Sequence, residues 1–305
     1  MVEINKCSVS IIIVNYNSLS LVKDCILSIL QKVSLINYEI IVVDNNSEDI
    51  HELERLSDNI IVIQLDENLG FGRANNKGVD YSSGEYLFFL NPDTYFINDA
   101  LKILYEQIKK NKRIGVCGGN LYDDSLRPIH SYNDISLSFK YVSKLMLTPP
   151  KFFRDIKRQH NFSMNNKQVG YITGADLMIK RDVFEKCGRF PRNIFMYYED
   201  VYLCYRVKRS GLEVVSVPNA KIVHLEGQSM EKNIEKEKRK KEMSLNGQKV
   251  FLQENHSRMY SLTLLFYSIA ALYFRLGIMK IIGLNTKRLR DSIKDYKQLL
   301  TLYNE

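Results

Sequence analysis

The chain has 305 residues, 45% hydrophobic and 26% charged, with a formal net charge of +8. Those totals describe a folded globular protein with room for one large α/β domain and an appendage, or for two small domains. The charge favours anionic partners such as nucleotide diphosphates and lipid head groups, and no basic stripe interleaved with aromatics points to nucleic acid. Cys7, Cys25, Cys117, Cys187 and Cys204 are scattered, odd in number and without a C-x-x-C pair, which supports neither zinc nor a disulfide framework and fits a reducing cytoplasm.

Val9 to Val14 is β-branched and almost continuously apolar, which predicts a buried parallel strand and is too short for a signal peptide. It runs into the polar turn Asn15-Tyr16-Asn17-Ser18, where Ser18 or Ser20 can cap the next helix. In that helix Leu19, Val22, Ile26, Ile29, Leu30 and Val33 recur at helical spacing. Glu39 to Val43 is a second strand with Asp44-Asn45-Asn46-Ser47 as its exit, and Ile60 to Leu65 is a third. Asn68-Leu69-Gly70-Phe71-Gly72-Arg73-Ala74-Asn75-Asn76-Lys77-Gly78 is then a glycine-bearing loop leading into a helix.

Tyr86 to Leu90 is apolar and aromatic enough for a fourth buried strand. Pro92 cannot donate to a ladder, so the chain turns there and leaves Asp93 just beyond the strand's carboxyl end. Open α/β sheets bind ligands at that edge. A lone carboxylate suits Mg²⁺ held mainly by substrate phosphates, and the same residues also make an ordinary Asn-Pro-Asp turn. Asn98 can cap a helix to about Lys110, and Ile114 to Gly118 is a further strand, so strands alternate with helices as in a mainly parallel sheet.

Gly119 to Lys167 shows no clean period and holds Lys151, Arg154, Lys157, Arg158 and His160, which read as a solvated basic loop or as an anion-contacting surface. Tyr171 to Ile179 reads as strand interrupted by Gly174, and Asp182 to Cys187 as a short helix stopped by Gly188. Met196 to Asp200 leads into a helix ending near Ser210, followed by short strands at Glu213 to Val217 and Lys221 to His224. Glu231 to Glu242 is a solvated helix or linker of mixed charge. Met259 to Phe274 carries no formal charge and falls short of the roughly twenty residues that span a bilayer. It reads either as a helix buried against the rest of the protein or as a membrane-interface helix, with Arg275, Lys280, Lys287, Arg288 and Arg290 drawn to anionic lipid.

Taken together, Ile13-Val14-Asn15-Tyr16-Asn17, Val43 to Ser47, Asn68-Leu69-Gly70-Phe71 with Ala74 to Gly78, Leu90 to Thr94, Thr173-Gly174-Ala175, Glu199-Asp200 and His224 with Gly227 resemble the family 2 glycosyltransferases of GT-A fold. Within that family the bacterial rhamnosyltransferase-type members are most similar, and the resemblance runs from Val9 to about Ser229. It implies an α/β fold with a mainly parallel, Rossmann-like sheet flanked by helices. Residues 1–230 would form the catalytic domain, divided into a nucleotide-sugar half (1–118) and an acceptor half (119–230). Residues 231–305 would form a helical, partly apolar and basic extension.

The implied activity is metal-assisted, inverting transfer of a sugar from a dTDP- or UDP-sugar to a glycan or lipid-linked acceptor in cell-surface polysaccharide synthesis. The location would be the cytoplasm, at the inner face of the plasma membrane where residues 259–290 make contact. Asp200 matches the family's general base with Glu199 beside it, and Tyr202 replaces an acid that relatives carry two residues later. The nucleotide-sugar contacts implied are Asn15, Asn17, Asp44, Asn68, Gly70, Arg73, Asn76, Lys77, Asn91 and Asp93. Asp93 would hold Mn²⁺ or Mg²⁺. Asn91 replaces the first acid of the family's D-x-D motif, and His224 resembles a further ligand, although a strand-end histidine also serves structure alone. Two other classes compete. A sugar nucleotidyltransferase needs a glycine-rich, cationic loop after the first strand, which Asn15 to Ser18 lacks. A non-catalytic sugar-nucleotide binder has no need of Asp93, Glu199 and Asp200 together.

Overall fold

The structure is a computed structural model that describes residues 7–47, 57–135, 137–148, 159–225 and 234–304. Lys151, Arg154, Lys157, Arg158, Gly227 and the expected boundary at 230/231 lie outside the described residues. The first half runs β1 (Val9–Asn15), α1 (Leu19–Lys32), β2 (Tyr38–Asp44), β3 (Ile60–Gln64), α2 (Phe71–Asp80), β4 (Tyr86–Leu90), β5 (Thr94–Phe96), α3 (Ala100–Lys110) and β6 (Ile114–Tyr122). There follow β7 (Tyr132–Asn133), α4 (Phe139–Leu147), β8 (Lys167–Gln168), β9 (Tyr171–Ile172), β10 (Asp176–Lys180), α5 (Arg181–Lys186), α6 (Glu199–Arg209) and β11 (Glu213–His224). Three helices close the chain: α7 (Ile234–Asn255), α8 (Arg258–Ile281) and α9 (Lys287–Asn304).

One mixed sheet has the order β3-β2-β1-β4-β10-β6-β11-β5, with β8 added on β11. Its first four strands are parallel, and β10 enters antiparallel between β4 and β6. β1 is buried along its whole length because helices cover both faces, which explains its unbroken apolar run. One apolar layer packs α1 and α3 under the sheet, and another packs α2, α5 and α6 over it.

Several local expectations change. Asp99, not Asn98, caps α3 by accepting the Lys102 N–H, while Asn98 spends its amide on Asn219 and Lys221 backbone. Ser18 stands at the cap of α1, but its hydroxyl turns back to Asn15. The two strands around Pro218 are one strand, β11, whose register against β6 breaks between Ser216 and Lys221; proline has no N–H to keep the ladder there. His160 is no solvated cation: it is 8% exposed, its Nδ1 lies 3.2 Å from Ile129 O, and burial lowers its pKa.

A third apolar cluster joins α4 and Tyr202 of α6 to α7, α8 and α9, so the C-terminal helices share a core with elements that precede them. Among the described residues α8 alone is long and apolar enough to cross a membrane, with 33% of its apolar window buried. Arg275, which the membrane-interface reading draws to lipid, points inward instead: it is 3% exposed and its Nη1 donates to Thr148 O at 2.7 Å.

Candidate active site

The carboxyl ends of β1 and β2 form the first part of the site. The parallel register sets Asn15 opposite Asp44, and both are fully buried. Asn15 Nδ2 donates to Asp44 Oδ1 at 2.8 Å and to Ser47 Oγ at 3.1 Å. The Asn17 N–H donates to the same Ser47 hydroxyl, and Asn17 and Asn46 both adopt left-handed backbone. Asn45 extends the network, donating from Nδ2 to Asn68 Oδ1 at 2.8 Å and accepting the Leu69 N–H. Asn68 in turn accepts the Gly70 N–H. Asn15, Asn17, Asp44, Asn68 and Gly70 thus form one hydrogen-bonded rim. Gly70 is required by geometry: its φ is +79°, and a Cβ there would lie 2.1 Å from Phe195 O.

The second part lies at the end of β4. Asp93 is 6% exposed, and its Oδ1 stands 3.3 Å from His224 Nε2. Pairing of β5 with β11 brings this about, because His224 is in register with Thr94 and the Leu225 N–H donates to Asp93 O. Asn91 Nδ2 lies 3.3 Å from the same imidazole nitrogen. Among the described residues no group of three or more His, Cys, Asp or Glu side chains gathers as a metal cage.

The acid pair opens α6. Tyr197 and Tyr198 before it are both left-handed, at φ 69° and 81°, conformations that bulky residues adopt only under tertiary constraint. Asp200 Oδ2 accepts the Gly174 N–H at 3.0 Å, and Oδ1 accepts the Val201 N–H at 2.7 Å. Burial raises the Asp200 pKa, and those backbone donors oppose the rise. Glu199 is raised as well, by burial first and then by the Asp200 charge, and its Oε2 has no hydrogen-bond partner among the described residues. Next to Gly174, Ala175 O accepts the Asn91 N–H at 3.0 Å. The segment 173–175 therefore ties the Asp93 turn to Asp200.

Arg73, Asn76 and Lys77 open elsewhere. They line a cleft of about 670 Å³ whose walls also include Arg189, Arg192, Tyr202, Arg206 and Glu254, but none of Asn15, Asn17, Asp44, Asn91 and Asp93. Asn76 is committed to backbone: Nδ2 donates to Phe190 O and Oδ1 accepts the Phe190 N–H. Arg206 stacks over the Tyr202 ring, 4.5 Å from its centroid, and Arg189 pairs with Asp80 and Glu185.

Three contributors escape a reading by motif. Tyr202 donates its hydroxyl to Glu254 Oε2, so α7 supplies a carboxylate beside the position where Tyr202 stands in place of the family's acid. Gly247 on α7 packs against the strained turn: a Cβ there would lie 2.4 Å from Tyr197 O and 2.8 Å from Tyr198 Cβ. Gly72 admits Glu199 and Phe190 against α2. Only the glycines themselves, at unremarkable places in the sequence, could have hinted at such close approaches.

The family model for glycosyl transferase family 2 matches residues 10–188. The low-salt glycan biosynthesis hexosyltransferase Agl10 of Haloferax volcanii is 29% identical over 67% of this chain and 63% of its own length. The N-acetylglucosaminyl-diphospho-decaprenol L-rhamnosyltransferase of Mycobacterium tuberculosis is 25% identical over 54% of this chain and 59% of its own. The match thus spans less than two thirds of either relative. The mannosyltransferase PcManGT of Pyrobaculum calidifontis, solved with GDP-Man and Mn²⁺, superposes with a TM-score of 0.59 at 14% identity, covering 97% of this chain and 85% of that one. That likeness is one of fold, and it agrees with the GT-A architecture implied by the motifs. A matching family model over more than half of the chain, on a sheet whose carboxyl edge carries the family's motif residues, makes this protein a member of glycosyl transferase family 2.

Proposed function

We propose that the chain transfers a sugar, with inversion, from a dTDP- or UDP-sugar to a hydroxyl of a polysaccharide or lipid-linked oligosaccharide, with rhamnose as the donor sugar. The observation that carries this reading is the link from the Asp93 turn through residues 173–175 to Asp200. It supports a leaving-group site and a base site held by one short segment. The acceptor oxygen attacks the anomeric carbon from the face opposite the diphosphate. As that C–O bond forms, the bond to the diphosphate breaks, Asp200 takes the hydroxyl proton, and the nucleoside diphosphate departs. Glu199, buried beside it, is held toward its neutral form by burial and by the Asp200 charge, so Asp200 is the member of the pair that carries the negative charge.

Asn15, Asn17 and Asp44 would receive the pyrimidine nucleoside, with Asn68 and Gly70 at its edge and Asn91 near the diphosphate. The carboxylate of Asp93 and the imidazole of His224 converge closely enough to serve as two ligands of a divalent cation, Mn²⁺ or Mg²⁺, that the donor diphosphate completes. Such an ion, when bound, supplies positive charge against the charge developing on the leaving group.

The basic cleft suits the acceptor better than the donor. Arg73, Lys77, Arg189, Arg192 and Arg206 outnumber Asp80 and Glu254 in its walls, and the cleft extends from α2 to Tyr202, on the same helix as Asp200. An acceptor carrying a diphosphate, as in the name of the mycobacterial relative, matches that charge. The enzyme would then work at the inner face of the plasma membrane.

A donor screen tests the reading. Release of dTDP, UDP or GDP from matching sugar nucleotides is followed with Mn²⁺ or Mg²⁺ and a diphosphate-linked acceptor. Acceptor-dependent release from a dTDP- or UDP-sugar is expected, and none from any donor would contradict it.

A further inference from the structure

The uncharged run in α8 resolves into two unlike faces. Ser261, Leu264, Leu265, Ser268, Ala271 and Leu272 recur at three- and four-residue spacing and are buried against the rest of the C-terminal core. The opposite face carries Met259, Phe266, Tyr273, Phe274, Ile278 and Ile281, exposed by 76%, 58%, 46%, 58%, 38% and 86%. Thr263, Ala270 and Gly277 lie exposed between them, so this stripe has no charge from Met259 to Ile278. It continues past the helix into exposed Ile282 and Leu284. Soluble monomers rarely leave so long a contiguous apolar surface in water. With its other face packed on protein, α8 can lie along a bilayer surface but is not free to span one.

Charge at the end of the stripe identifies the occupant. Lys280, Lys287, Arg288 and Arg290 are all exposed there, against a single exposed acid, Asp291, on the same stretch. The Lys297 ammonium lies 5.3 Å from the Tyr273 ring centroid, adding one more cation beside the stripe. A second copy packed parallel would set the same cations against each other, and one packed antiparallel would set them beside exposed Arg258 at the stripe's other end. An anionic lipid surface offers hydrocarbon to the stripe and phosphate to its basic end.

We infer that the exposed face of α8, from Met259 to Leu284, docks in the interfacial layer of an anionic membrane, with Lys280, Lys287, Arg288 and Arg290 on the head groups. This deepens the reading of a lipid-linked acceptor, since docking would hold the enzyme where such an acceptor lies, but it can be tested without any catalysis. The full chain is sedimented with phosphatidylglycerol–phosphatidylcholine vesicles and with phosphatidylcholine vesicles alone, at low and high salt. Binding to the anionic vesicles is expected, weakening as salt rises. Phe274→Glu with Ile278→Glu should weaken it at least tenfold. Both side chains are exposed, so circular dichroism and donor affinity should be unchanged. Joint Lys287→Glu, Arg288→Glu and Arg290→Glu should remove the preference for anionic lipid. Failure of the intact chain to sediment with anionic vesicles, or equal sedimentation of the Phe274/Ile278 variant, would overturn the inference. So would a dimer in solution that the Phe274/Ile278 variant turns into a monomer while vesicle binding is absent; that result would assign the face to a second copy.

Discussion

The Gly174 N–H donates to Asp200 Oδ2 at 3.0 Å, so the proposed base is oriented by the backbone of the segment that also receives the Asn91 N–H. This bond favours the ionised carboxylate, while burial opposes it and wins, leaving the Asp200 pKa above its ordinary value. A base must be ionised to act. The acid limb of kcat/KM should therefore fall as pH drops through a value above about 4, the usual range of an aspartate. Stability should move the other way: a folded-state pKa above the unfolded one stabilises at low pH, and that contribution is lost as pH rises through the folded value. A pH–rate profile whose acid limb lies at or below the ordinary aspartate range would remove Asp200 from the role of base.

Asp93 is the single carboxylate of the Asn-Pro-Asp turn, with His224 Nε2 beside it. Asp93→Ala should lower transfer by on the order of a thousandfold and abolish the response to added Mn²⁺ or Mg²⁺, a loss of several kcal/mol at the transition state. Steady-state rates with and without chelator check this. Full activity of the wild type in chelator would contradict it.

The basic cleft separates acceptor from donor binding. Lys77→Glu together with Arg192→Glu should raise the KM for a diphosphate-linked acceptor by roughly tenfold to a hundredfold, as expected for lost charge-assisted contacts, and leave the donor KM unchanged. A rise in donor KM instead would return these residues to the sugar nucleotide.

Gly247 couples α7 to the acid pair. Gly247→Ala brings a methyl into Tyr197 O, which the helix can relieve only by moving away from the left-handed turn. Stability should drop by about 1–3 kcal/mol, the usual cost of overpacking. The kcat should fall while donor KM holds, because α6 would lose the turn that aims Glu199 and Asp200. Thermal melting and transfer kinetics on the same preparation check both. A lowered melting temperature with unchanged kcat would make the contact structural only.

The strand-exit motifs were legible because each is contiguous and ends an element whose apolar pattern is plain. Asn15, Asp44, Asp93 and Asp200 all stand at the end or start of such an element. Register then did what the sequence could only imply, setting Asn15 against Asp44. Arg73 and Lys77 share their motif with buried Asn76 but lie on the outward side of α2, and which cleft that side faces depends on Arg189, Arg192 and Arg206, distant in the chain. The role of α7 was hidden for the same reason, since nothing near Gly247 or Glu254 names Tyr197 or Tyr202 as a neighbour. β5, three residues long, has too little pattern to announce itself, yet it brings His224 to Asp93. Met259 to Phe274 has one buried face and one exposed face, which composition averages together, so composition alone could not separate a buried helix from an interfacial one.

The most direct test of the account is the transfer rate of Asp200→Asn at saturating donor and acceptor. Asparagine keeps the shape and can still accept the Gly174 N–H, but it cannot take the acceptor proton. Transfer should fall by roughly a hundredfold or more, the range for loss of a general base, with donor affinity measured on the same protein unchanged. A variant that transfers sugar at the wild-type rate would contradict the assignment of Asp200 as the base.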